Sequence, residues 1–252
     1  LIARHQAGVD VRVVLNRSFP QGSVTNQAAY NALQDAGVPV VWAPAGFTYT
    51  HEKCVVIDGA TAWIMTMNAA TSSLTSNREY LAVDTQPADV AEAEAQFAAD
   101  FAGQRYDPRG PLLLSPVTSR PALAQLIIGA RTMLDFEDEE LSDLALTGAL
   151  CDAKRRGVRV RGVLAAGALS GPEQAAVNQL KTCGVPVGTL ATPYLHAKAI
   201  VADGARAYVG SENLTVVSLD QNRELGLITE VPSAVRTVAT QVAADIAAGT
   251  AL

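Results

Sequence analysis

The chain has 252 residues, 49% of them hydrophobic, with 19 basic and 25 acidic side chains and a net charge of −6. That length and hydrophobic share are enough to bury a sizeable core. No block of Lys and Arg suggests a nucleic-acid arm, and the acidic balance counts against general affinity for phosphate backbones, although a local basic groove remains compatible with it; no apolar run reaches the roughly 18 residues of a membrane span, and no signal peptide is visible.

In chain order, the hydrophobic pattern alternates strand and helix. A nearly alternating run predicts a strand over 9–15, a helix over 24–35 closed by Gly37, and a strand over 38–43. The apolar stretch at 54–57, the Asp58-Gly59 turn signal and the stretch at 61–66 predict a hairpin. A strand over 80–83 and a helix over 89–103 follow, then a Pro-, Gly- and charge-rich linker over 104–111. Beyond it come a strand at 112–114, a helix at 122–132, a strand at 133–136, a helix at 142–156 and a strand at 158–164. A helix over 172–182 before Gly184, strands over 185–190, 199–202, 206–209 and 225–229, and a last helix over 233–248 complete the chain. The pattern predicts two α/β halves with mixed sheets flanked by helices, residues 1–103 and 112–252, related by a pseudo-twofold axis.

The halves share more than a pattern. His51-x-Lys53-x4-Asp58 recurs 145 residues later as His196-x-Lys198-x4-Asp203. At the same offset Gly59 matches Gly204, Asn68 matches Asn213, Asn77-Arg78-Glu79 matches Asn222-Arg223-Glu224, and Ala98-Ala99-Asp100 matches Ala243-Ala244-Asp245. A match this long is a domain duplication, not a solenoid of short repeats. Against it, the first half starts inside the equivalent of the 142–156 helix and lacks the preceding strand, helix and strand. The expectation is an exposed sheet edge, with the missing segment upstream or on a separate fragment.

The motif runs along a strand, so His and Lys two residues apart share a face. Histidine can attack as a nucleophile or move a proton near neutral pH, and Lys adds fixed positive charge to the same pocket. Thr66 and Asn68 in one half, and Ser211 and Asn213 in the other, offer a hydroxyl and an amide suited to anionic oxygens. Two such sets facing one another would make a cationic site with two histidines, one to attack phosphorus and one to protonate the leaving oxygen, with Lys and Asn stabilising the equatorial oxygens. Asp58 and Asp203 fall on the other strand face and read as structural. His5 has no counterpart and reads as a surface residue; Arg78 and Arg223, each beside a Glu, read equally well as ion-pair partners. The acidic run 135–140 is explained by a helix N-terminus, and a few of its members could line the mouth of the site.

With two His-x-Lys-x4-Asp motifs, the second followed by Gly210-Ser211-Glu212-Asn213, the chain resembles the phospholipase D superfamily over nearly its whole length. The first copy departs from Gly-Ser-x-Asn, reading Met65-Thr66-Met67-Asn68. The resemblance implies that His51 and His196 act as nucleophile and general acid/base through a phosphohistidine. It implies that Lys53, Lys198, Asn68 and Asn213 bind the phosphoryl group, and that no metal or cofactor is needed. It also implies a carboxylate that orients each His ring, and Glu79 and Glu224, each 28 residues after the His of its own half, are the candidates. The implied activity is hydrolysis or transphosphatidylation of a phospholipid or related diester. An endonuclease cleaving DNA or RNA with the same residues, and a non-catalytic phosphate-binding scaffold, are the alternatives.

The three cysteines lack zinc-like spacing. Cys54 reads as strand packing, whereas Cys151 and Cys183 are equally readable as a disulfide or as two free thiols. A disulfide would fit an exported or periplasmic protein better than a cytoplasmic one.

Overall fold

A computed structural model describes residues 1–17 and 26–252. The first half contains α1 (Ile2–Gln6), β1 (Val13–Leu15), α2 (Gln27–Asp35), β2 (Val40–Trp42), β3 (Cys54–Ile57), β4 (Thr61–Met65), α3 (Thr71–Thr75), β5 (Asn77–Arg78), β6 (Leu81–Asp84) and α4 (Pro87–Phe101). The second opens with β7 (Leu113–Ser115), α5 (Ser119–Gly129), β8 (Met133–Asp138), α6 (Leu144–Arg155), β9 (Arg159–Ala165), α7 (Gly171–Thr182) and β10 (Val187–Leu190). It closes with β11 (Tyr194–Leu195), β12 (Ala199–Ala202), β13 (Arg206–Gly210), α8 (Val216–Asp220), β14 (Glu224–Thr229), α9 (Pro232–Ala248) and β15 (Thr250–Ala251).

The mixed α/β architecture is as expected, but the two sheets are unequal. In the second half eight strands line up as β15-β10-β9-β8-β12-β13-β14-β7. β8, β9 and β10 run parallel, while β8 pairs antiparallel with β12 and so joins the parallel block to the antiparallel β12-β13-β14-β7 block. In the first half the corresponding strands form two separate sheets, the parallel pair β1-β2 and the antiparallel β3-β4-β6. Among the described residues no strand joins β1 to β3 as β8 joins β9 to β12.

Burial follows this difference. β12 is buried on both faces: Ile200 and Ala202 pack into the core under α5, α6 and α7, and Ala199 and Val201 pack with Val235, Val238 and Val242 of α9. β3 is covered on one face only; Cys54 and Val56 turn inward while Val55 and Ile57 are exposed. The core beneath β3 and β4 is shared between the halves, since Ala62 and Ile64 cluster with Leu112, Leu114, Leu225 and Leu227.

The element bounds differ from the predicted ones where backbone donors are captured. The helix predicted over 122–132 runs from Ser119 to Gly129, because Pro121 is tolerated in a first turn and the N–H groups of Arg131, Thr132 and Met133 donate to Asp203 instead of continuing the helix. The helix predicted over 24–35 is present from Gln27; its first residues lie outside the described region. The predicted Asp-Gly turns are present in both halves: Asp58 and Gly59 have φ of 54° and 58°, and Asp203 and Gly204 have 57° and 63°, the left-handed pair of a tight hairpin.

Candidate active site

Each histidine strand is held by the other half. Tyr194 and Leu195 of β11 pair in parallel with Asn77 and Arg78 of β5, and the His196 N–H donates to the Arg78 carbonyl. The reciprocal contact is a bridge between Thr50 and Arg223, with the His51 N–H donating 2.8 Å to the Arg223 carbonyl. The Asn-Arg-Glu segment of each half therefore lies alongside the motif of the other.

The carboxylates follow the backbone across. His51 Nδ1 lies 3.0 and 3.1 Å from the two oxygens of Glu224, and His196 Nδ1 lies 2.9 Å from the Glu79 carboxylate. The spacing in sequence paired each Glu with the His 28 residues before it; the structure exchanges the partners, because the Glu directly follows the Arg of the cross-half strand contact. A carboxylate only accepts, so each ring carries its hydrogen on Nδ1 and turns Nε2 to the pocket. Asn77 Nδ2 donates 3.1 Å to Glu79, while Asn222 Nδ2 and Ser218 Oγ donate 3.0 and 2.8 Å to Glu224. Burial pushes both carboxyls up, but the histidines and these donors outweigh it and hold both below the ordinary carboxylate range.

The arginines are anchors, crossed in the same way. Arg223 forms a two-pronged pair with Asp100 of α4 at 2.9 and 3.1 Å, and Arg78 with Asp245 of α9 at 2.6 and 3.0 Å. These pairs clamp the strand segments that present the histidines.

The lysines are less alike. Lys198 is fully buried and its Nζ donates 2.7 Å to the His196 carbonyl and 2.7 Å to Glu139. Lys53 Nζ donates to the His51 carbonyl and forms no ion pair among the described residues. Burial and the nearby Lys198 push Lys53 down to about 7, against the pull of Glu224, Glu139 and Glu79. His51 is likewise lowered, first by burial and then by Lys53 and Lys198, despite Glu224. The crossed His–Glu pairs, Asn68 beside His196 Nε2, and the influence of Lys198, Glu79 and Glu224 on Lys53 bring the two motifs together.

The expected oxygen-binding groups separate into two kinds. Asn68 Nδ2 is 3.4 Å from His196 Nε2, at the open side of the ring, and Asn213 keeps a buried amide oxygen without a partner among the described residues. The hydroxyls of Thr66 and Ser211 are both fully buried and already engaged, contrary to the expectation that they hold anionic oxygens. Thr66 donates 2.6 Å to Glu79 and accepts from the Tyr80 N–H, and Ser211 accepts from the Leu225 N–H. Strand alternation turns them to the neighbouring strand, where they fix the carboxylates' backbone rather than face the pocket. Asp58 and Asp203 lie in the hairpin turns; Asp203, despite some burial, is held down at about 2 by the N–H groups of Thr132, Met133 and Arg131 and the Thr132 hydroxyl.

One site residue was not singled out in the sequence. Glu139, just beyond β8, places Oε2 2.7 Å from Lys198 Nζ and 3.5 Å from His196 Nε2, and accepts 3.0 Å from the Tyr194 hydroxyl. Its only signal was membership of the acidic run 135–140, two of whose members have structural duties: Asp135 pairs with Arg161, and Asp138 accepts from the N–H groups of Leu214 and Glu140. Among the described residues no group of three or more His, Cys, Asp or Glu side chains is arranged to hold a metal ion.

The profile of a family described as cardiolipin synthase, PLD-like domain, matches residues 1–101 and 123–246. The chain belongs to the phospholipase D-like family. No curated protein matches the sequence significantly. Among solved structures, Nuc of Salmonella typhimurium, a phospholipase D family member, is 23% identical with a TM-score of 0.53, over 56% of this chain and 95% of Nuc. Phosphatidylserine synthase of Haemophilus influenzae is 10% identical with a TM-score of 0.71, over 100% of this chain and 77% of the synthase. Polyphosphate kinase of Porphyromonas gingivalis is 16% identical with a TM-score of 0.72, over 96% of this chain and 39% of the kinase. At these identities the likeness is one of fold. Membership of the family supports a phosphodiester-acting enzyme.

Proposed function

We propose that this chain is a phospholipase D-type phosphodiesterase that works through a phosphohistidine intermediate. The observation that carries the reading is the reciprocal His–Glu exchange, His51 with Glu224 and His196 with Glu79, around a pocket that also holds both motif lysines. We assign attack to His51, whose lowered pKa leaves Nε2 unprotonated at neutral pH. The Nε2–phosphorus bond forms as the phosphorus–oxygen bond to the alcohol breaks, and His196 delivers its proton to the leaving oxygen. Water, or a second alcohol, then gives a proton to His196 and attacks phosphorus, which frees His51. Lys53, Lys198, Asn68 and Asn213 hold the non-bridging oxygens, where charge is stabilised without reorganisation. Glu79 and Glu224 fix the tautomers and stabilise the imidazolium forms.

A phospholipid or related diester is the preferred substrate over nucleic acid. The net charge of −6 and the acidic Glu139 at the pocket support this, because a nucleic-acid enzyme gains most affinity from phosphate contacts. No helix among the described residues is long and apolar enough to cross a membrane. The Cys151–Cys183 disulfide supports an exported or periplasmic setting. The test is incubation in EDTA with phosphatidylcholine vesicles and, separately, with single- and double-stranded DNA, using His196→Ala as the blank. Choline release or a new phosphatidyl alcohol is expected. DNA cleavage without lipid turnover would move the substrate to nucleic acid, and silence on both, together with tight phosphate binding, would favour a scaffold.

A further inference from the structure

The pseudo-twofold symmetry of the pocket is broken by one carboxylate. Lys198 meets Glu139 at 2.7 Å, while Lys53, its counterpart, has no such partner among the described residues. A counter-ion is therefore not something the motif lysine requires. Glu139 also sits where substrate must come, since its Oε2 is within reach of both Lys198 Nζ and His196 Nε2. A phosphoryl oxygen and this carboxylate cannot share Lys198 at close range without strong repulsion, so substrate binding takes Lys198 away from Glu139.

What Glu139 gains in exchange is set by its surroundings. Its other oxygen accepts from Tyr194, an exposed residue. Glu140 and Glu173 lie close enough that, after burial and Glu139, their charges further raise the Tyr194 hydroxyl pKa. Burial, Glu139 and Glu173 likewise raise Glu140. The mouth on the His196 side is thus an acidic rim around an exposed tyrosine. That combination attracts ammonium groups, quaternary ones included, and repels the neighbouring phosphates of a nucleic-acid strand.

We propose that Glu139 and Tyr194 form a subsite for a cationic alcohol, so that the preferred diester is zwitterionic, with its phosphate on Lys198 and its ammonium on Glu139. A zwitterion inserted into the Lys198–Glu139 pair replaces one ion pair by two, and neither buried charge is left unpartnered, the condition under which a desolvated pair is tolerated. Placed beside His196, the cationic alcohol is the leaving group that His196 protonates. The proposal rests on the phosphodiesterase reading for its turnover assay, and a binding assay separates the two.

For turnover, kcat/KM is measured for soluble short-chain phosphatidylcholine, phosphatidylethanolamine and phosphatidylglycerol with identical acyl chains. The wild type is expected to prefer the two cationic head groups by about tenfold or more, roughly 1.4 kcal/mol, and Glu139→Gln to bring the ratio near one whatever its absolute rate. For binding, phosphocholine and inorganic phosphate are titrated calorimetrically into both proteins. Tighter binding of phosphocholine by the wild type, lost in Glu139→Gln, is expected. A wild-type ratio at or below one, or a preference kept by Glu139→Gln, overturns the subsite in either assay. If no diester turns over yet the binding preference and its loss are present, the phosphodiesterase reading fails and the subsite stands.

Discussion

The two halves carry the same motif in different frames. His196 and Lys198 precede β12, a strand of the eight-stranded sheet buried on both faces, with the His196 side chain 9% exposed and Lys198 fully covered. His51 and Lys53 precede a three-stranded sheet with one face open to solvent, and the His51 side chain is 24% exposed. The anchors differ in the same sense: Ser218 donates to Glu224, whereas its counterpart Ser73 has no partner for its hydroxyl among the described residues. Yet the His–Glu pairs are nearly identical in length. Reciprocal exchange explains this, because each half's histidine is oriented by the other half's carboxylate. The environment is asymmetric, and the reacting skeleton is not.

The largest effects should strike both halves alike. His51→Ala and His196→Ala are each expected to lower turnover by at least ~10³-fold, since each removes one of two non-redundant groups. Near wild-type activity in either variant would break the shared-site account. Glu79→Gln and Glu224→Gln should each slow turnover by on the order of 10²–10⁴-fold by upsetting the tautomer, with thermal melting close to normal. Wild-type rates in Glu79→Gln would reduce Glu79 to a structural role.

Stability should instead separate the halves. Arg223 and Asp100 are both buried, so Asp100→Asn leaves an unpaired buried charge and should cost ~3–5 kcal/mol in denaturant unfolding. Arg78 is 26% exposed and can turn to water, so Asp245→Asn should cost less, ~1–3 kcal/mol. Equal losses would show that the frames are energetically alike.

The pH profile sharpens the comparison within the first half. His51 must be neutral to attack, and its pKa lies below the ordinary value of about 6.5. Lys53 must be charged to hold phosphate, and its pKa in the free protein is about 7. The profile of kcat/KM, which reports the free enzyme, should therefore rise through a pKa below 6.5 and fall through one near 7. Lys53→Arg should remove the Lys53 part of the alkaline fall, because guanidinium stays charged, leaving only the loss of the general acid. The smallest effect expected is none: EDTA should leave the rate unchanged, and a loss restored by one metal ion would overturn the metal-free mechanism.

Much of this was legible before the fold. The recurrence at one offset named both histidines, both lysines and both Asn-Arg-Glu segments, because chemistry constrains residue type and spacing together. The Asp-Gly pairs also placed Asp58 and Asp203 in turns. What spacing within one half cannot carry is which half a strand will face, and so the exchange of Glu79 and Glu224 was hidden. Thr66 and Ser211 misled because a buried hydroxyl is spent on the nearest backbone or carboxylate before any ligand arrives. Glu139 was obscured by its place in an acidic run whose Asp135 and Asp138 have structural work of their own, and it has no counterpart in the repeat to single it out. The five-residue helices α3 and α8 were too short for periodicity to show.

The most direct test is to trap the intermediate. A diester with a p-nitrophenyl leaving group needs no protonation to depart, so His196→Ala should still form the phosphohistidine but lack the base that clears it. Mass spectrometry of quenched digests should find an acid-labile phosphoryl adduct on His51 in His196→Ala, and none in His51→Ala. An adduct on His196, or release of p-nitrophenol with no adduct on either histidine, would contradict the account.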